Sequence, residues 1–162
     1  MKQRKTWREK LADSKDQPRV EPIPEAMASR WGRGTLVIPA PLEVDALMRQ
    51  VPKGKLTTVN EIREALARKH GATIGCPMTT GIFIVIAARA AEEDAAEGKK
   101  RITPYWRTLK SNGELNPKYP GGVEAQQARL EAEGHKVIAR GKRLFVQHFG
   151  RRFGVLRRET SR

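Results

Sequence analysis

Cysteine is nearly missing from this chain: of its 162 residues, only Cys76 carries a thiol. One thiol excludes an internal disulfide and any zinc site assembled from several cysteines. Long apolar runs are missing too. The longest, residues 81–88, falls well short of the about 20 residues that a membrane-crossing helix needs, so a soluble protein with no membrane partner is expected. Residues 1–10 are polar and basic with no apolar stretch behind them, which gives no secretory signal and an expected cytoplasmic location. Acids are also in short supply, 18 Asp and Glu against 32 Lys and Arg, for a net charge of +14. Solubility does not need so large a surplus, and it points to an acidic partner.

The surplus sits mostly at the two ends, with five bases against one acid in residues 1–10 and eight against one in residues 140–162. Basic ends suit nucleic acid, ribosome or an anionic membrane surface, with solvated tails as the plain alternative. In the last segment Arg151, Arg152, Arg157 and Arg158 alternate with Phe149, Phe153 and Leu156, a pattern of phosphate contacts with apolar anchors. The length allows one domain with a core and excludes two sizeable ones.

Prolines 18, 22, 24, 39 and 41 mark an irregular arm, because each removes a backbone donor and fixes φ, with one short strand at residues 34–38. Beyond it, Leu42, Val44, Leu47, Met48 and Val51 fit a short helix ended by Pro52 and Gly54. Thr58-Val59-Asn60-Glu61 is a capping box opening a second helix that Gly71 stops. Gly75-Cys76-Pro77 starts a third, mostly buried through Ile82, Phe83, Val85, Ile86 and Ala90, with small polar positions at Thr79, Thr80 and Gly81. The last two helices suggest a helix-turn-helix. A charged connector at residues 92–101 and a strand at 103–110 turning at Ser111-Asn112-Gly113 would add a wing. A helix at residues 123–133, ended by Gly134, and a basic hairpin about Gly141-Lys142 complete the chain. No internal repeat is present.

Several of these segments, in order, resemble the C-terminal DNA-binding domain of the alkylguanine-DNA alkyltransferases and of their non-enzymatic relatives, the alkyltransferase-like proteins. The resemblance runs from about Leu42 to Val137. It is carried by Arg49-Gln50-Val51-Pro52-Lys53-Gly54-Lys55-Leu56-Thr57-Thr58 with Glu61-Ile62, then Pro104-Tyr105-Trp106-Arg107-Thr108, Ser111-Asn112-Gly113, Gly121-Gly122 and Leu130-Glu131-Ala132-Glu133-Gly134. It implies an α/β fold of the alkyltransferase winged helix-turn-helix type at residues 41–138, between an N-terminal arm at 1–40 and a basic hairpin and tail at 139–162. It also implies duplex DNA as partner, bound through the minor groove.

The departures are as informative as the matches. In the family's Pro-Cys-His-Arg box the cysteine accepts the alkyl group and the histidine, oriented by a glutamate, activates it; here Tyr105 and Trp106 stand at those positions, leaving Arg107 and Glu133. A phenol of ordinary pKa near 10 is scarcely ionised at neutral pH, and no neighbouring base could activate it. No enzyme activity of that kind is expected. Relatives with a large aromatic in the box bind alkylated DNA without repairing it. Val59 stands where the family has its base-flipping tyrosine and Met78 where it has the arginine that fills the vacated stack, which puts base flipping in question.

The expected DNA-binding residues are Thr57, Thr58, Met78, Thr79, Thr80, Gly81, Arg107, Arg151 and Arg152, with Tyr105, Trp106 and Glu133 forming the former active-site pocket. Tyr105 and Trp106 either stack on an unpaired base or fill that pocket. Met78 is a packing residue or an apolar wedge between bases. Cys76 reads as a small buried hydrophobe, with a displaced alkyl acceptor as the alternative. His70, His135 and His148 share no ligand spacing with Cys76, so neither metal nor cofactor is expected. A protein or RNA adaptor on the same scaffold is the second functional expectation, and a repair or regulatory protein is a further candidate partner.

Overall fold

In the computed structural model, residues 4–154 are described. The proline-rich arm is not irregular, which corrects the reading from composition. Thr6 opens helix α1 (Trp7–Ala12) with a reciprocal capping box. The Glu9 amide donates to Thr6 Oγ1 at 3.1 Å, and the Thr6 amide donates to Glu9 Oε1 at 3.0 Å. Strand β1 (Arg19–Pro22) runs antiparallel to β2 (Thr35–Ile38), with Val20 opposite Val37. A 3-10 turn (Glu25–Met27) and a single-turn helix α2 (Ala28–Trp31) join them. The prolines border elements instead of breaking them: Pro22 closes β1 on the sheet edge, where a missing amide costs nothing, and Pro41 opens helix α3 (Pro41–Arg49).

Helix α3 buries Val44, Leu47 and Met48. Leu42, expected among them, is exposed, because helical periodicity carries it to the side roughly opposite the other three. Strand β3 (Thr57–Thr58) leads straight into helix α4 (Val59–His70), whose cap is the Thr58 hydroxyl accepting from the Glu61 amide at 3.3 Å. Gly71 ends α4 in the left-handed conformation, φ +65°. Strand β4 (Ile74–Gly75) adds to β2 in parallel, and Gly75 must be small: a Cβ there would lie 2.7 Å from the Arg63 carbonyl oxygen.

Helix α5 (Pro77–Ala96) is the longest in the chain's described part. It continues to Ala96, into the first half of the segment expected to be a charged connector, since Ala90, Ala91 and Asp94 are buried on its inner face. The expected strand at 103–110 is also corrected. Tyr105–Arg107 is a 3-10 turn, and only β5 (Thr108–Leu109) is extended, pairing in parallel with β3. The turn before Gly113 forms, with the Gly113 amide on the Lys110 carbonyl at 2.9 Å. Past the turn the Glu114 carbonyl accepts from the Lys110 amide at 2.9 Å, and Glu114 also bridges to Phe145. Helix α6 (Gly122–Ala132) and the hairpin β6 (Val137–Arg140)–β7 (Arg143–Val146) match expectation, with Arg140 opposite Arg143 around Gly141-Lys142.

One core holds these pieces together. Val44, Met48, Ile62, Leu66, Ile84, Leu109, Leu115 and Leu130 form its centre, and both Leu11 of α1 and Val146 of β7 belong to it. The two ends are therefore packed on the central part. The Leu56 amide donates to the Arg152 carbonyl at 2.7 Å and the Gly154 amide to the Leu56 carbonyl at 2.9 Å, so the segment after β7 lies beside the approach to β3. Arg157 and Arg158, expected in the basic tail, lie outside the described residues. Among the described residues no helix is long and apolar enough to cross a membrane.

Candidate functional site

The 3-10 turn after α5 places Tyr105, Trp106 and Arg107 against α6, where Glu133 stands just past the helix end. Tyr105 is 2% exposed and Trp106 8% exposed. The Tyr105 ring meets Trp106 and Tyr119 edge-on, with centroids 5.3 and 5.2 Å apart. Its hydroxyl donates to Glu92 Oε2 at 3.0 Å. Burial, and then the Glu92 carboxylate, push this phenol well above its ordinary pKa. It stays protonated.

Glu133 gathers the rest. Trp106 Nε1 donates to its Oε2 at 3.1 Å, while Arg107 donates from Nε to Oε1 at 2.9 Å and from Nη2 to Oε2 at 2.7 Å. Burial alone would raise the Glu133 pKa, but the hydrogen bonds from Arg107 and Trp106 outweigh it and hold the carboxyl below its usual range. Arg107 directs its Nη1 to the Val51 carbonyl at 2.8 Å. Arg129 Cζ stands 4.2 Å from the Trp106 ring centroid. Behind them His135 is buried, and neither ring nitrogen has a hydrogen-bond partner among the described residues. Burial, then the nearby Arg152 charge, lower its pKa. Tyr105 is enclosed, whereas Trp106, Arg107 and Arg129 line a pocket of about 560 Å³ that Arg49, Lys99, Arg101 and Pro104 also border.

Space opens also against the first turns of α5. A pocket of about 650 Å³ is bounded by Val59 at the start of α4, by Met78, Gly81, Ile82, Val85 and Ile86 of α5, and by the loop at Asn116 to Lys118. Such a volume falls within the usual range for ligand sites, about 300–1,000 Å³. Its walls are largely aliphatic, and Lys10, Lys110 and Lys118 stand among its lining residues. Met78 is 66% exposed and Ile82 55% exposed, one turn apart on a single face of α5. Two large apolar side chains left in the open beside a pocket mark a contact surface, where one alone would mean little. At Gly81 an added Cβ would meet nothing within 4 Å, so the glycine leaves the pocket mouth wide.

The expected contact residues divide accordingly. Met78 and Gly81 line the pocket, and so does Val59, at the position the resemblance gives to base extrusion. Arg151 and Arg152 are exposed on a 3-10 turn (Phe149–Arg152) anchored by the Phe149 and Phe153 rings, 5.8 Å apart. Thr57, Thr58 and Thr80 are buried, and Thr79 has its hydroxyl covered. The expectation that Thr57, Thr58 and Thr80 offer side chains to a partner is therefore corrected: the β3–β5 pairing and the inward face of α5 enclose them. Arg107 is likewise turned inward, its guanidinium held by Glu133. Cys76 caps α5 in a small cluster with Ile23 and Leu36, apart from the Tyr105 site. Sequence reading missed Trp7, Lys10, Lys110 and Lys118 as neighbours of the pocket; for Trp7 the signal was the capping box Thr6–Glu9, which fixes a helix in a segment read only as basic.

No family model matches the chain, and no curated protein matches it significantly. Among solved structures it is similar to that of S. pombe Atl1 in complex with damaged DNA containing O6-carboxymethylguanine, with 20% sequence identity and a TM-score of 0.47 over 70% of this chain and 93% of that one. A likeness of that size carries no argument about function.

Proposed function

We propose that this chain is a non-catalytic DNA-binding protein of the alkyltransferase-like type, acting in the recognition of alkylated DNA within repair. In this reading residues 41–138 form a winged helix-turn-helix domain, α4 and α5 are its helix pair, and the first turns of α5 enter the minor groove of a duplex. The observation that carries it is the pocket beside Val59, Met78, Gly81 and Ile82, aliphatic on its walls and lined also by lysines. A nucleotide joins a base with apolar faces to an anionic phosphate, so that combination suits an extruded nucleotide. Extrusion costs a few kcal/mol, which apolar burial in the pocket offsets. Arg151 and Arg152 would add phosphate contacts that position the complex and are sensitive to salt.

Lack of catalysis follows in this reading from the chemistry of Tyr105 and Trp106. The Tyr105 phenol ionises less readily than a free phenol because its pKa is raised, and Trp106 has an N–H donor and no basic nitrogen. Cys76 lies in another cluster. The test is fluorescence anisotropy with a labelled duplex carrying one methylguanine, compared with the unmodified duplex at several salt concentrations. Tighter binding of the modified duplex, with log affinity falling against log salt at a slope of roughly −4 to −5 for about five neutralised phosphates, supports the reading. Equal affinity for both duplexes removes lesion recognition and leaves general DNA binding.

A further inference from the structure

Helix α1 comes from outside the segment that carries the family resemblance, yet it forms part of the pocket. Trp7 and Lys10 both line it. The helix is fixed there by the far end of α5. The Trp7 amide donates to Glu93 Oε2 at 3.0 Å and the Arg8 amide to Glu93 Oε1 at 2.9 Å, so that one carboxylate caps the start of α1. Arg8 donates from Nε and Nη2 to the two oxygens of buried Asp94, at 2.8 and 2.6 Å. Leu11 inserts into the core on the inner side. With both ends held, the indole of Trp7 is preorganised at the pocket, where Lys10 Nζ and Arg89 Cζ stand 4.1 and 5.2 Å from its ring centroid.

Ordering a tryptophan costs little once its helix is already anchored, and an indole uncovered as the Lys10 ammonium turns to a phosphate is suited to press against the face of a base. An ammonium beside it is suited to the phosphate of the same nucleotide. Val59 and Met78 offer only aliphatic and thioether contacts at the positions expected for base extrusion, so the site's aromatic surface comes from Trp7. The ligand chemistry this defines is one nucleotide, base and phosphate together.

We propose that Trp7 and Lys10 are specificity-determining residues of the nucleotide pocket, Trp7 contacting the extruded base and Lys10 its phosphate. This inference rests on the DNA-binding reading above. It is tested by anisotropy with methylguanine-containing and unmodified duplexes, using Trp7→Ala, Trp7→Phe and Lys10→Met, each checked for fold by far-ultraviolet circular dichroism and melting. Trp7→Ala should weaken the modified duplex by about tenfold, as loss of one aromatic–base contact does, with unmodified duplex little changed. Trp7→Phe should retain most of the preference. Lys10→Met should lower the salt slope by about one. If folded Trp7→Ala keeps the preference intact, or if Trp7→Ala and Trp7→Phe weaken both duplexes equally, the inference is overturned while the DNA-binding reading stands. If the wild-type chain binds neither duplex at low salt, that reading fails and takes the inference with it.

Discussion

Trp106 donates its indole N–H to Glu133 Oε2 at 3.1 Å, so this carboxylate is engaged by an indole, a donor with no basic nitrogen. Both side chains are largely buried, and the bond is supported on its other side by Arg107. The Glu133 carboxylate thus accepts from an indole and a guanidinium, neither of which can take up a proton at neutral pH.

Restoring the acceptor atom alone should consequently leave the chain inactive. Tyr105→Cys places a thiol of ordinary pKa near 8.5 in a buried position near the Glu92 carboxylate, where a neighbouring negative charge and low polarity disfavour the thiolate. Adding Trp106→His supplies an imidazole that Glu133 can orient, and the double variant should gain slow transfer at most. Intact mass after incubation with methylguanine duplex separates the outcomes, and rapid methylation of the single variant would show that activation is not the missing part.

Removing Glu133 should cost more stability than any surface acid. Its loss leaves the Arg107 guanidinium without its charge partner and Trp106 Nε1 without an acceptor, and breaking a buried pair of this kind costs about 3–5 kcal/mol. Urea denaturation of Glu133→Ala measures it. The pH dependence has a definite sign. Because the folded state holds the Glu133 pKa below its ordinary value, near 4.3 in an unfolded chain, its contribution is complete above that value and is lost as pH falls through the lower folded value. Glu133→Gln should therefore flatten, in that acid window, part of the slope that Glu43, Asp94 and Glu114 also create.

The arm should behave as part of the fold. Leu11 is 4% exposed, and Leu11→Ala should cost about 2–5 kcal/mol, as large-to-small changes in a core do. A melting temperature unchanged by that substitution would return α1 to the status of an appendage.

Much of the helical frame is legible in the sequence, for local reasons. Thr58 caps α4, Gly71 ends it, Pro77 opens α5, and Gly141-Lys142 turns the β6–β7 hairpin, each determined by residues within a few positions of one another. The wing is not legible in this way. Asn112-Gly113 does turn the chain, but the partner of β5 is β3, some fifty residues earlier, and pairing at that separation leaves no local pattern. The extension of α5 past Glu92 is hidden by its charges: Glu93 and Asp94 read as a solvated connector, although they bind α1. The site divides similarly. Trp106 and Glu133 can be matched by order along the chain, whereas the contribution of Trp7 to a pocket on α5 depends on tertiary packing.

Gly81 offers a substitution in which stability and binding should move in opposite directions. It lies inside α5 with open space where a Cβ would stand, so Gly81→Ala should stabilise the fold by up to about 1 kcal/mol through helix propensity. The same methyl narrows the pocket mouth and should weaken binding of methylguanine duplex. Higher melting temperature with undiminished binding would show that the glycine serves neither the pocket nor close approach to a partner.

Non-catalytic DNA recognition is tested most directly by native mass spectrometry of the wild-type chain mixed with a duplex carrying one methylguanine. A dissociable protein–duplex complex from which the protein is released at its original mass is the predicted result. Protein released with an added methyl group would contradict the base-free reading of Tyr105 and Trp106 and turn attention to Cys76, and the lack of any complex at low salt would contradict DNA binding itself.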